Sequence, residues 1–117
     1  MNLPENYQNL ANAIIMQAVK DYRKSRVYLQ KHPATDTLIR TAAWQVECRK
    51  KRQAKRGRQG LPHVQEKLSK EEEILDRIMK AEQMLDDVER FFRSDWFCAL
   101  TDIDGEMLLR KLEEEFE

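Results

Sequence analysis

The feature that most constrains this chain lies at residues 88–112, where Phe91, Phe92, Trp96 and Phe97 fall within seven positions and Leu100, Ile103 and Leu108 follow. Aromatic side chains bury the largest area per residue, and no other stretch of this polar chain offers comparable apolar surface. The remaining segments are therefore expected to dock here. A chain of 117 residues suffices for one small core. With 36% charged residues, three Gly and three Pro, amphipathic helices fit better than a sandwich or barrel, which needs more turn residues and β-branched strands. The expectation is all-α: a single domain over residues 1–117, a small helical bundle of three main helices plus a short C-terminal helix.

In chain order, the first helix is expected to start near Pro4, with Glu5 suiting the positive helix end. Tyr7, Leu10, Ala11, Ile14, Ala18, Tyr22 and Leu29 recur at helical spacing and predict its buried stripe. Pro33 ends it by pushing His32 out of the helical region. The second helix restarts after Thr35 or Asp36 as cap. Leu38, Ile39, Ala42, Ala43 and Val46 give it a narrow apolar face, with Trp44 off to one side. Beyond Cys48 the apolar pattern stops, so the helix end and loop at 49–62 are expected to lose packing support and fray. The third helix is announced by Ser69 and Glu72, a capping box, or starts a turn earlier near His63. Ile74, Ile78, Ala81, Leu85, Val88 and Phe92 then form a heptad-type seam, which a second copy could complete in a homodimer through this helix. Ser94 and Asp95 break and recap the chain. A final helix capped by Thr101, Asp102 or Asp104 carries Ile103, Met107, Leu108, Leu112 and Phe116 as its stripe. Its acidic end, Glu113, Glu114, Glu115 and Glu117, opposes the helix dipole and needs cations; the basic end of the second helix is one source.

Little here points to catalysis. Cys48 and Cys98 stand far apart with no secretory signal before them, and read as free thiols of a cytoplasmic protein. No apolar run approaches the length of a membrane span. His32 and His63 sit beside prolines, without the clustered partners a zinc site needs. No phosphate loop, dinucleotide fingerprint or nucleophile elbow occurs. Asp102, Asp104 and Gly105 resemble part of a calcium loop, but Leu108 and Leu109 fill the middle of that span as helix, and a helix cap explains the acids better. No catalytic residue, metal or cofactor is expected.

The basic run is the best functional candidate. Arg49, Lys50, Lys51, Arg52, Lys55, Arg56 and Arg58 place seven cations in ten residues, and Trp44 on the same helix can stack on a base. Such a run neutralises phosphates by releasing counterions, whatever the sequence. The competing reading is a solvated helix end that complements the acidic C-terminus. Zero net charge, from 21 basic and 21 acidic side chains, favours that second reading.

Phe91–Phe97 as FFRSDWF, then Leu100-Thr101-Asp102, Asp104-Gly105-Glu106 and the leucines from Leu108 to Leu112, resemble a motif of small proteins from bacterial prophages and mobile elements. Ala13-Ile14 with residues 17–23 is similar to the opening of the same group. The two blocks cover about a third of the chain. Residues 42–69, with the whole basic run, look like an insertion between them. The resemblance implies a mobile-element accessory protein in a host cytoplasm, and no particular activity. The expected function is non-enzymatic: binding of nucleic acid, or of the nucleic-acid groove of a host protein such as a defence nuclease, through the basic helix. The alternative is a protein–protein adaptor or inhibitor working through the acidic C-terminal face.

Overall fold

The computed structural model describes residues 3–117, with side chains from Asn6 onward. The parts expected of the Pro4 and Glu5 side chains lie outside the described residues. The protein is all-α, with helices α1 (Leu3–Lys31), α2 (Asp36–Arg58), α3 (Lys70–Phe92), α4 (Asp95–Leu100) and α5 (Gly105–Glu114). No strand occurs among the described residues. The chain divides into two compact units, one made by α1 with Lys80–Glu117 and the other by His32–Met79.

The first unit holds the larger core. Ile15, Val19 and Tyr22 of α1 meet Val88 and Phe92 of α3, Phe97 of α4, and Leu109 and Leu112 of α5. Phe97 packs edge-on against Phe92 and Phe91, with ring centroids 5.2 and 5.5 Å away at 73° and 84°, the geometry that sets a ring's positive edge on its neighbour's negative face. Ser94 makes the turn that brings these rings together. Its hydroxyl donates to the Phe91 carbonyl (2.6 Å) and accepts from the Phe97 amide (3.1 Å), capping α4. Asp104 caps α5 by accepting from the amides of Glu106 and Met107. Gly105 follows so close to the end of α3 that a Cβ there would lie 1.9 Å from the Phe92 carbonyl oxygen.

Several sequence expectations move by one position. Along α1 the buried set is Ala11, Ile15, Val19 and Tyr22, while Ile14 and Ala18 are only half-buried and Tyr7 and Leu10 are exposed. Along α5, Leu109 is buried beside a half-buried Leu108, while Met107 and Ile103 are exposed. Trp96 leaves the aromatic knot: it is 57% exposed and touches Phe91 edge-on from the surface. The acidic C-terminus does find a cation, but it is Arg23 of α1 rather than the basic end of α2. The guanidinium donates twice to Glu115, at 3.0 and 2.8 Å.

In the second unit α2 starts as expected, with Thr35 accepting from the Leu38 amide at 3.1 Å. Its far end does not fray. The helix runs through Gly57 to Arg58. There the Gly60 amide bonds to the Gly57 carbonyl and the Leu61 amide reaches back to the Arg56 carbonyl. That pair of bonds is a Schellman closure, which needs a left-handed residue, and Gly60 supplies it with φ of 72°. Residues 61–69 carry no helix, so α3 does not begin early near His63. It begins at the capping box instead: the Glu72 amide donates to the Ser69 hydroxyl at 3.2 Å. The α3 seam is buried at Ile78, Ala81, Val88 and Phe92 and half-buried at Ile74 and Leu85. Because this burial arises within one chain, a second copy is not required to cover it.

Candidate nucleic-acid interface

A helix turns about 100° per residue, so the basic run of α2 is divided between two faces. Gln45, Arg49, Arg52, Gln53 and Arg56 recur at helical spacing and face the returning chain. Arg49 pairs with Glu72, whose side chain is only 6% exposed. The same carboxylate accepts from the Ser69 hydroxyl at 3.2 Å. Gln45 donates to Glu71 at 3.0 Å, and its side-chain oxygen shares the single Ser69 hydroxyl proton with Glu72. Arg52 donates to Glu66 at 3.0 Å and 2.9 Å through Nε and Nη2. The Gln53 amide donates to the same carboxylate (2.9 Å) and to the Val64 carbonyl (2.7 Å), and its oxygen takes the Val64 amide. Arg56 donates to the Pro62 carbonyl at 3.2 and 3.1 Å. This polar clasp replaces the missing apolar support, which is why the expected fraying does not occur.

The electrostatics follow from the pairing. The Arg49 guanidinium holds the Glu72 carboxyl below the usual carboxylate range, against the opposing push of burial. Glu66 is lowered first by the Gln53 amide and then by Arg52, and Glu71 by the Gln45 amide. Arg49 is pushed up in turn by its bond to Glu72.

The opposite face of α2 is different. Trp44 is 67% exposed. Lys51, Lys55 and Arg58 are exposed on the same side, and among the described residues their side chains have no hydrogen-bond or ion-pair partner. Lys50 stands at the edge, 3.6 Å from Glu47. Arg40, four residues before Trp44, extends this face; it is equally exposed, and its side chain has no partner among the described residues. Its place on the Trp44 side of the helix is readable from spacing, but it lies outside the dense run of cations at 49–58. A hollow of about 200 Å³ opens beside Trp44, with Cys48, Arg52 and Lys67 on its walls. Of the residues expected to bind, the fold thus gathers Trp44, Lys51, Lys55 and Arg58 on one outward face, leaves Lys50 at its margin, and ties Arg49, Arg52 and Arg56 to the returning chain, with Arg52 still exposed.

Among the described residues no group of three or more His, Cys, Asp or Glu side chains could hold a metal ion. Cys48 and Cys98 are free thiols. No described helix is long and apolar enough to cross a membrane. No family model, curated protein or solved structure matches the chain.

Proposed function

We propose that this is a non-enzymatic nucleic-acid-binding protein, an accessory of a mobile element, and that it lays the outward face of α2 along a single strand. The observation that carries this reading is the division of the cations. Arginines that would otherwise compete for phosphate are occupied by Glu66, Glu72 and the Pro62 carbonyl, while the Arg40, Lys51, Lys55 and Arg58 side chains have no partner among the described residues and share a helix face with an open indole. A cation without an internal partner loses no ion pair when it meets a phosphate, and its released counterions favour binding. An exposed Trp amid such cations offers a stacking surface of the kind single-strand binders use, tolerant of sequence. From Arg40 to Arg58 the ridge spans about 27 Å of helix axis, enough to track several nucleotides.

The same charge argues against the nucleic-acid groove of a host protein as the target, since that groove is itself basic and would repel this ridge. Inhibition of a defence nuclease would then work through the nucleic acid rather than the enzyme. The acidic C-terminal end is a weaker contact surface, with Glu115 held by Arg23 and Glu113 half-buried.

Fluorescence anisotropy on a labelled oligothymidine at several salt concentrations tests the proposal. With about four phosphates engaged on a single strand, log affinity should fall with log salt at a slope near −2.8. Replacing Arg40, Lys51, Lys55 and Arg58 together by Ala should abolish binding while leaving the circular dichroism intact, and Trp44→Ala should weaken it about tenfold or more. Unchanged affinity in the quadruple variant would remove this reading.

A further inference from the structure

The first unit carries a surface of opposite character. Between α1 and α3, closed on one side by α4, lies an open cleft of about 340 Å³. Its floor is apolar, made by Ile14, Ala18 and Val88, and its wall is aromatic, made by Phe91 and Trp96. These two rings meet edge to face, with centroids 5.2 Å apart at 62°. Two carboxylates stand among the lining residues, Asp21 from α1 and Asp87 from α3. Each is steadied by a glutamine one helical turn before it: Gln17 donates to Asp21 at 3.0 Å and Gln83 to Asp87 at 2.9 Å. Neither has a cationic partner among the described residues, although elsewhere Glu66, Glu72, Glu106 and Glu115 are all matched to arginines.

We infer that this cleft is a docking site for a basic segment of another protein, in which an arginine or lysine stem lies on the apolar floor and its head reaches the two aspartates. The chemistry is complementary at each point. Long basic side chains are amphipathic, with an apolar stem and a charged tip. An aromatic face attracts a cation through its quadrupole, more strongly where water is partly excluded. Two like charges beside one cleft, neither ion-paired among the described residues even though Arg90 lines the adjoining hollow with Asp87, favour a positive group from outside. A peptide suits the site better than a free cation because the apolar surface continues beyond the cleft: Leu10, one turn before Ile14, and Met84, one turn before Val88, are both exposed. Aliphatic neighbours of the basic residue would cover them. This site is independent of the α2 ridge, and either can fail without the other.

A positional peptide library with a central arginine flanked by aliphatic residues, matched against the same library with uncharged citrulline, provides the test. Binding is read by Trp96 emission in a Trp44→Phe background. Arginine peptides should bind and shift the emission, and the citrulline forms should bind about tenfold or more weakly. Asp21→Asn with Asp87→Asn should erase that difference while the circular dichroism stays unchanged, and Trp96→Ala, read by the anisotropy of a labelled peptide, should weaken both series. Three results would overturn the assignment: no binder in the library, equal affinity for the two series, or displacement of the peptides by spermidine alone at comparable concentration, which would make a small cation the occupant.

Discussion

A methyl group on Gly105 would lie 1.9 Å from the Phe92 carbonyl oxygen and 3.3 Å from the Phe97 ring. Backbone cannot yield as a flexible side chain does, so the α3–α5 approach must open or α5 must shift. Gly105→Ala is expected to cost about 2–3 kcal/mol, seen as a lower urea midpoint with an unchanged slope. Gly57 is the contrast: it sits inside α2 with nothing within 4 Å of its missing Cβ. Gly57→Ala in the same titration should instead raise stability by about 0.5–1 kcal/mol. Tyr22 poses a different question. Its ring is fully buried beside Phe116, yet among the described residues its hydroxyl has no hydrogen-bond partner. A buried donor left unmade costs free energy, so Tyr22→Phe should raise the melting temperature, by an amount corresponding to about 1 kcal/mol. Single residues of this kind were partly legible in the chain. Ser69, Ser94, Thr35 and Asp104 cap helices as their positions implied, because a cap is a local bond between near neighbours.

Helices as elements were legible in number and order, and less so in rotation. Ile14 and Ile15 adjoin, as do Ala18 and Val19, and Met107 precedes two leucines. Where apolar residues adjoin, spacing alone leaves the buried face uncertain by about 100°, and the partner element decides. The clasp on α2 left no trace at all, since Arg49 and Glu72, or Arg52 and Glu66, are joined across a turn and share no periodicity. It has a pH signature. The carboxyls of Glu66, Glu71 and Glu72 are held below their ordinary value of 4.5 in the folded protein. A carboxylate with a depressed folded pKa contributes stability that is complete above its unfolded value and is lost as pH falls through the folded one. Urea midpoints should therefore be flat down to about pH 5 and fall below about 4.5. Glu72→Gln should start lower at neutral pH and fall less steeply in acid.

For the molecule as a whole, the aromatic stretch predicted where the main core would form, and Phe92, Phe97, Leu109 and Leu112 lie in it. What could not be read was that residues 32–79 would form a unit held largely by polar bonds, with Ala42 and Ile78 as its fully buried apolar residues. Exposed ion pairs contribute little each, whereas aromatic burial contributes much. Amide hydrogen exchange followed by mass spectrometry should accordingly show α2 exchanging well before α1 and the 88–112 segment. Equal protection of the two would contradict this account. The division of cations on α2 has a last consequence, concerning phase. Because a single rod carries both the clasp and the ridge, inserting one amino acid between Val46 and Arg49 would swing every side chain downstream by about 100°. The gears would miss their teeth: Glu66 and Glu72 would be offered the wrong neighbours, and the solvent side would lose its charge in the same stroke. Length variation in this helix is thus tolerable only in whole turns.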